Sequence, residues 1–527
     1  MSAGEPVRLD LAALRAELAA SPGAGLLRPL GIGRVIEGDG ALDELARAVA
    51  DFPRSGAGVV VLAAATPMRV AGWDLRAEAT EVLGRGFAVD WATLGPADGQ
   101  VHADEPTVTA ARQATAGAGC VVTIGSGTIT DIGKAATRNG TPLVAVQTAT
   151  SVNGYADSFS VLLHRGVKRT MTSRWPDTLL IDAAILRAAP PELNLAGVGD
   201  LMAMFTATSD WYLASAMSDD GGHDTTAAGP PYNATVAGIV RAHGGRLLAL
   251  AADLAAGPGP AAGTGPEAGT GPAAGTGPAA GPGRAAAPGR AAGPGDAATD
   301  KRLTAGLAEL ARILTLSGIT MGVAGSTAPA SGMEHAVSHL LEMAANARGQ
   351  LASFHGTQVG VASVVAAATW AHVRRRIDEG ALGRPARIPD PDQARDRIRE
   401  AFKGIDSTGL MAAECFADYA RKLRPLVGDS DPLAGLWDDW DRHEAVLAET
   451  LIDPGELASG LRSAGLPASF GELPEPVSDE DARWAVASCP LQRQRFGVAD
   501  LAMLLGAWEE DDIDEVLADA AVLTGRP

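Results

Sequence analysis

Cys120-Val121-Val122-Thr123-Ile124-Gly125-Ser126-Gly127-Thr128-Ile129-Thr130-Asp131-Ile132-Gly133-Lys134 is the stretch on which the fold turns. Its first five residues form a mostly β-branched, apolar run, as expected of a strand buried on both faces. Small residues then take over at Gly125-Ser126-Gly127, where a strand gives way to a helix. Such a turn lets backbone amides approach a pyrophosphate, whose charge the helix N-terminus favours. The same residues also suit a plain tight turn, and the Rossmann glycine pattern is not matched.

Outward from this unit, short β-branched runs alternate with Ala-rich, helix-length segments from about Gly31 to Ile185. Val59-Val60-Val61-Leu62 and Leu143-Val144-Ala145-Val146 join Cys120–Ile124 as the clearest strands. They are apolar throughout rather than alternating, which predicts a parallel sheet with helices on both faces. Ser158 to Thr172, with His164-Arg165-Gly166 at its middle, reads as an antiparallel hairpin inserted in that sheet. After Pro190 the strand signals fade, and Leu201, Met204, Phe205, Thr208 and Tyr212 fall on one helical stripe.

The expected architecture is therefore an α/β domain over residues 1–190, with a candidate dinucleotide-binding turn, and an all-α domain over 191–527. From Ala255 to about Asp296 the chain is nearly all Gly, Ala and Pro, with Gly-Thr-Gly-Pro units starting at Gly263, Gly269 and Gly275. With almost nothing to bury, such a repeat does not offset its ordering entropy, so a disordered insert is expected at 255–299.

At 527 residues the chain has length for two or three domains. Lys+Arg 43 against Asp+Glu 63 leaves a net charge of −20, which argues against nucleic-acid binding, where clustered basic side chains release counterions. No stretch approaches the roughly 20 uncharged apolar residues of a membrane span, and the first six residues lack a signal-peptide pattern, so a cytoplasmic enzyme is expected. Cys120, Cys415 and Cys489 are odd in number and far apart, which points to structural thiols.

A second motif, Glu334-His335-Ala336-Val337-Ser338-His339, lies in a helical stretch whose apolar stripe runs through Val337, Leu340, Leu341 and Ala344. His335 and His339 stand four residues apart, on one helix face. His355-Gly356 opens another helix-like run, from Thr357 to about Arg376, and Asp200 follows Gly197-Val198-Gly199 at the start of an earlier helix. One Asp and two or three His without cysteine partners suit a catalytic metal, because three protein ligands leave a position open. Plainer readings stand beside this one: Asp200 as a helix N-terminal residue satisfying free amides, the His pair as a surface coincidence, and His355 as a loop residue.

Taken in order, these landmarks resemble the sn-glycerol-1-phosphate dehydrogenases, a branch of the iron-containing alcohol dehydrogenase and dehydroquinate synthase-like superfamily. The matching residues are Gly125-Ser126-Gly127-Thr128 through Asp131 and Lys134; Thr148-Ala149-Thr150-Ser151 with Asn153-Gly154; Gly197-Val198-Gly199-Asp200; Ala324-Gly325-Ser326 with Ser331-Gly332-Met333-Glu334-His335 and His339; and His355-Gly356-Thr357-Gln358-Val359-Gly360. The agreement covers roughly Gly31 to Arg376, with a weaker echo near Arg495-Phe496.

The resemblance implies a metal-dependent oxidoreductase that interconverts a polyol phosphate and its ketone, a reaction of phospholipid biosynthesis, in a cleft between the two domains. It implies one divalent metal held by Asp200, His335 and His355, with zinc ahead of iron and nickel, although the donor types suit all three. It implies catalytic roles for Asp200, His339 and Asn153, with His339 and Asn153 at the substrate. NAD(H) or NADP(H) would be held by Gly125, Ser126, Gly127, Thr128, Asp131, Thr148, Ser151 and Asp157. The implied partner is a small phosphorylated or polyhydroxylated ketone or alcohol, with no nucleic acid and no membrane span; a homo-oligomer is compatible with it.

Two departures stand out. The family's three glycines become Gly125-Ser126-Gly127, and its substrate-binding His-Asp-Gly becomes Val152-Asn153-Gly154, while a later Ser becomes Asp157. Asn153 bonds hydroxyls but is no base, which questions glycerol 1-phosphate as the substrate. The tail from Ile377 and the Gly-Ala-Pro insert find no clear counterpart. Lys168 and Arg169, on the hairpin, are candidates to neutralise a substrate phosphate, or else form a solvated charged turn. Two rival readings share the landmarks: a dehydroquinate synthase-like carbocycle-forming enzyme with transient NAD oxidation, and a non-catalytic nucleotide-binding protein.

Overall fold

The computed structural model describes residues 9–52, 57–96, 101–217, 230–255, 294–428 and 431–525. Among the described residues there are ten strands: β1 (Arg34–Gly38), β2 (Val59–Ala64), β3 (Arg69–Val70), β4 (Trp73–Asp74), β5 (Val89–Leu94), β6 (Cys120–Gly125), β7 (Leu143–Gln147), β8 (Phe159–His164), β9 (Val167–Thr172) and β10 (Thr178–Asp182). Six of them make a parallel sheet in the order β1-β10-β7-β6-β2-β5. The apolar runs seen in the sequence occupy β2, β6 and β7, whose residues are almost all buried. β1 carries Arg34 and Glu37 on an exposed edge, and so lacks the signal that marks the central strands.

From β2 the chain adds β5 on one side, then returns to place β6 on the other. The winding reverses between β2 and β6, where Ala63 lies opposite Ile124. In open α/β sheets, ligands bind outside the carboxyl ends of strands at such a reversal. The Gly125-Ser126-Gly127 turn opens at that place, and the helix Gly127–Ala136 follows it.

β8 and β9 form an antiparallel ribbon of their own, separate from the main sheet. Their two-residue turn puts Arg165 at φ 50° and Gly166 at φ 82°, the left-handed pair that a tight hairpin needs to match strand twist.

From Pro191 the described chain is helical to its end at residue 525. Val198, Leu314 and Val361 of this part share one buried cluster with Ala145, Leu179 and Ile181 of the sheet, so the helices pack directly on the sheet. The stripe from Leu201 to Tyr212 is buried as its spacing requires, but the helix Pro191–Met202 breaks at a short 3-10 turn, Ala203–Phe205, before Ala207–Ala216. Cys120, Cys415 and Cys489 are free and buried.

The helix Pro294–Ala324 contains a stretch, Asp300–Ala324, long and apolar enough to cross a membrane, contrary to the expectation that no stretch is. Its apolar window is 89% buried inside the protein, so those side chains are spent on the core. The Gly/Ala/Pro-rich stretch lies outside the described residues over 256–293. Its flanks are helical, Gly244–Ala255 before it and Pro294–Ala324 after it, so Ala255 and residues 294–299 of the expected insert belong to helices.

Candidate functional site

Asp200 sits in the last turn of the helix Pro191–Met202, not at a helix start, so the N-terminal capping role considered for it does not arise. It is 1% exposed. One carboxylate oxygen, Oδ2, accepts the backbone N–H of Asn153 at 3.0 Å. The other, Oδ1, faces Nε2 of His335 at 3.6 Å and Nε2 of His355 at 4.0 Å. Close packing brings these elements together. A Cβ on Gly199 would lie 2.2 Å from the Gly356 carbonyl oxygen, and one on Gly356 would lie 2.0 Å from that of Ala196. The glycines before Asp200 and after His355 thus let two helices approach backbone to backbone.

His335 lies in the first turn of the helix Met333–Ala347, and His355 opens the helix His355–Arg376. Their donor atoms and that of Asp200 all lie within 4.8 Å of one another. Three ligands about 2.1 Å from a tetrahedral ion stand roughly 3.4 Å apart, so the observed spacing needs little closure to hold one. The second ring nitrogens support the same assignment. Nδ1 of His335 is 3.0 Å from Glu334 Oε1, and Nδ1 of His355 is 2.6 Å from Glu342 Oε1. A carboxylate on Nδ1 leaves Nε2 as the free donor and fixes the ring's orientation.

Glu334 also accepts the Thr206 hydroxyl at 2.8 Å, and Glu342 pairs with Lys168. Burial alone would raise the Glu342 carboxyl, but the Lys168 ammonium and His355 outweigh it and hold it far below the usual carboxylate range. Burial works against protonating His335, yet its bonds to Asp200 and Glu334 raise its pKa; His355 is lowered by burial and by Lys168. Nothing local in the sequence gives these two carboxylates a role. Glu334 precedes His335 in the motif, and Glu342 stands two helical turns beyond His335, a spacing that signals a shared face.

His339 is one turn along the same helix and 8% exposed. Its ring stacks on His355 with centroids 5.4 Å apart. Its pKa is well below the ordinary value, through burial and then the nearby Lys168 and His355. Among the described residues it makes no hydrogen bond or ion pair, so a neutral imidazole is presented beside the triad. The side-chain amide of Asn153 donates to Ser317 Oγ at 3.1 Å, which places this residue between Asp200 and the helix Pro294–Ala324.

The residues expected at the nucleotide divide into two groups. Gly125, Ser126, Gly127 and Thr128 form the turn at the sheet reversal, and the Ser126 side chain makes no capping bond to the helix that follows. Thr148 and Ser151 lie just past β7, where Thr148 N–H donates to Gly125 O at 3.4 Å. Asp131 and Asp157, by contrast, meet around Lys134, at 2.8 and 2.6 Å. Their remaining bonds go to the backbone N–H groups of Val161 and Phe159. Lys134 is fully buried and also donates to Gly154 O at 2.7 Å, so this cluster ties the turn helix to the Asn153-Gly154 loop.

Lys168 and Arg169 are neither free for a phosphate nor a solvated turn. Lys168 pairs with Glu342, and Arg169 with Glu414 and Asp418, because the hairpin is enclosed between helices.

Residues 36–190 match the family described as iron-containing alcohol dehydrogenase. A glycerol-1-phosphate dehydrogenase [NAD(P)+] from Bacillus licheniformis is 26% identical over 343 residues, covering 62% of this chain and 71% of the relative. The enzyme of the same name from Bacillus velezensis is 25% identical over 319 residues, 59% of this chain and 65% of that one, so the chain spans about two thirds of such relatives. In fold it is similar to a glycerol dehydrogenase from Schizosaccharomyces pombe, with a TM-score of 0.52 at 12% identity, covering 94% of this chain and 90% of that one. A probable glycerol dehydrogenase from Sinorhizobium meliloti also scores 0.52, at 15% identity, over 95% and 99% of the two chains. These matches show that residues 36–190 are similar to the iron-containing alcohol dehydrogenase family and that the fold is shared with the two glycerol dehydrogenases. The triad and the fold are consistent with a metal-dependent, NAD(P)H-linked oxidoreductase.

Proposed function

We propose that this chain, with that superfamily as premise, interconverts a polyol phosphate and its ketone with NAD(H) or NADP(H), sn-glycerol 1-phosphate and dihydroxyacetone phosphate being the nearest pair. The observation that carries the reading is the convergence of Asp200 Oδ1 with Nε2 of His335 and of His355, beside an unengaged His339. Asp200, His335 and His355 would hold a divalent metal, which would supply Lewis acidity to the substrate oxygen, while a bound nicotinamide would supply or take the hydride.

The chain's own groups do the rest. Asn153 N–H holds Asp200 by one oxygen and leaves the other for the metal. Glu334 and Glu342 hold the two imidazoles in one tautomer. His339, kept neutral, accepts or returns the proton of a substrate hydroxyl at a ring nitrogen. The side-chain carbonyl of Asn153 accepts from a second hydroxyl. The amides at Gly125-Ser126-Gly127, at the sheet reversal, would hold the pyrophosphate of the nucleotide. The names of the two Bacillus relatives support the glycerol-phosphate pair and leave the nucleotide as either NAD or NADP.

The test is reduction of dihydroxyacetone phosphate by NADH and by NADPH in chelator-stripped protein reloaded with zinc, iron or nickel. Net consumption of reduced nucleotide that vanishes on chelation and returns with metal is expected. Metal-dependent conversion of a phosphorylated sugar with no net nucleotide change would instead identify the carbocycle-forming reaction. No nucleotide-linked turnover with any metal would sink the reading.

A further inference from the structure

We infer that Lys168 is a positioning residue for His355, acting through Glu342, and that the helix Leu410–Leu423 holds it in place from the other side of the hairpin. The inference rests on the proposed metal site but concerns residues outside the triad.

Lys168 and Arg169 are successive residues of β9, so their side chains leave opposite faces of the ribbon. Lys168 reaches Glu342 on the helix Met333–Ala347, and Arg169 reaches the helix Leu410–Leu423. There Arg169 donates to Glu414 O at 2.9 Å and to Glu414 Oε2 at 3.2 Å, and also pairs with Asp418. Arg165, at the hairpin tip, adds a second hold on Glu414, at 2.6 Å from Oε1. The ribbon is thus clamped between the helix that bears His335 and a helix of the C-terminal region.

What the clamp presents is the Lys168 ammonium. Its side chain is 19% exposed and that of Glu342 21%, so the pair is mostly withdrawn from water, unlike exposed pairs that contribute little. Glu342 Oε1 is 2.6 Å from His355 Nδ1, and His355 Nε2 is 4.0 Å from Asp200 Oδ1. Two sets of ionic contacts, joined through the β9 backbone, therefore link the Leu410–Leu423 helix to the ring whose Nε2 faces Asp200. Among the described residues Lys168 is the only Lys or Arg paired with Glu342, and without it Glu342 is freer to turn away. His355 then loses the bond that aims its Nε2. Ser338 Oγ, 3.2 Å from the same Nδ1, is a neutral and weaker substitute.

The experiment uses full-length protein stripped of metal by chelation and titrated with Co2+, read by absorbance and chelator competition. Lys168→Met should weaken Co2+ binding about 10- to 100-fold, the usual cost of losing a partner behind a ligand. Lys168→Arg, which keeps the charge, should stay within about three-fold of wild type. Glu414→Gln with Asp418→Asn should weaken binding in the same direction by a smaller factor, and add nothing further in the Lys168→Met background. If Lys168→Met alone does not fold, the pair Lys168→Met with Glu342→Gln removes both charges together, and the same order of loss is expected. Wild-type Co2+ affinity in either of these proteins would overturn the inference. Full additivity of the two sets would overturn the part given to the Leu410–Leu423 helix. A wild type that binds no Co2+ would overturn the proposed function as well, whereas wild-type binding with an unaffected Lys168→Met overturns this inference alone.

Discussion

Asn153 bonds in two directions, its backbone N–H to Asp200 Oδ2 at 3.0 Å and its side-chain amide to Ser317 Oγ at 3.1 Å. Only the side chain changes on substitution by Asp, so the grip on Asp200 survives. A carboxylate there would bond substrate hydroxyls with charge assistance, worth roughly 1.5 to 3 kcal/mol against about 1 for a neutral bond. Asn153→Asp should therefore raise kcat/KM for dihydroxyacetone phosphate between a few-fold and about thirty-fold with the same metal. An efficient wild type damaged by the change would mean that the amide belongs to the ordinary site. A second residue-scale prediction concerns Asp210, which is 2% exposed and accepts N–H donors from Met333, Val498 and the Trp370 ring. Burial, then the charge of Glu334, push its carboxyl up to about 7, against the opposing pull of Arg493. A raised acid binds more protons folded than unfolded, so its contribution is complete below about pH 4 and is lost as pH rises towards 7. Urea unfolding from pH 5 to 8 should show stability falling with pH, and Asp210→Asn, though less stable, should show a shallower fall. An identical slope in the variant would remove Asp210 as the cause.

At the scale of elements, the close pair of helices Pro191–Met202 and His355–Arg376 bears both Asp200 and His355, so their separation sets the metal site. Gly356→Ala places a methyl 2.0 Å from Ala196 O, and only backbone movement relieves it. The expected cost is about 1 to 3 kcal/mol by urea unfolding, with weaker metal binding alongside. Gly238→Ala is the contrasting case: it lies inside the helix Ala234–Arg241 with open space around it, and should stabilise by roughly 0.4 to 1 kcal/mol. Equal effects from the two substitutions would show that close approach is not what Gly356 serves. The sequence marks these elements unevenly. Gly199 and Gly356 are visible as motif residues, but spacing does not say that each is the other's contact. β6 and β7 are legible because both faces are buried, whereas β1 at the sheet edge reads as ordinary polar chain. Asp200 is misjudged as a helix start because the break at Ala203–Phe205 leaves the buried stripe from Leu201 to Tyr212 intact.

For the whole molecule, the repeat between the helices Gly244–Ala255 and Pro294–Ala324 offers the core almost no apolar side chain beyond Ala. Replacing residues 256–293 by a short Gly/Ser linker should leave melting temperature and turnover almost unchanged, since loop length changes closure entropy only slowly. A large loss of either would make that stretch a working part. By itself the sequence determines what is local: apolar β-branched runs give the central strands, the Gly-Ser-Gly turn marks the strand-to-helix junction, and two histidines four apart share a helix face. The family resemblance then implies that Asp200, His335 and His355 belong to one site. The tertiary structure alone decides the partners that hold this site, with Lys168 meeting Glu342 across 174 residues and Arg165 meeting Glu414 across 249. Periodicity records which face of an element is apolar. The partner of a charge depends on which faces end up opposed and how much water leaves between them, and those are set only when sheet, ribbon and helices close on one another.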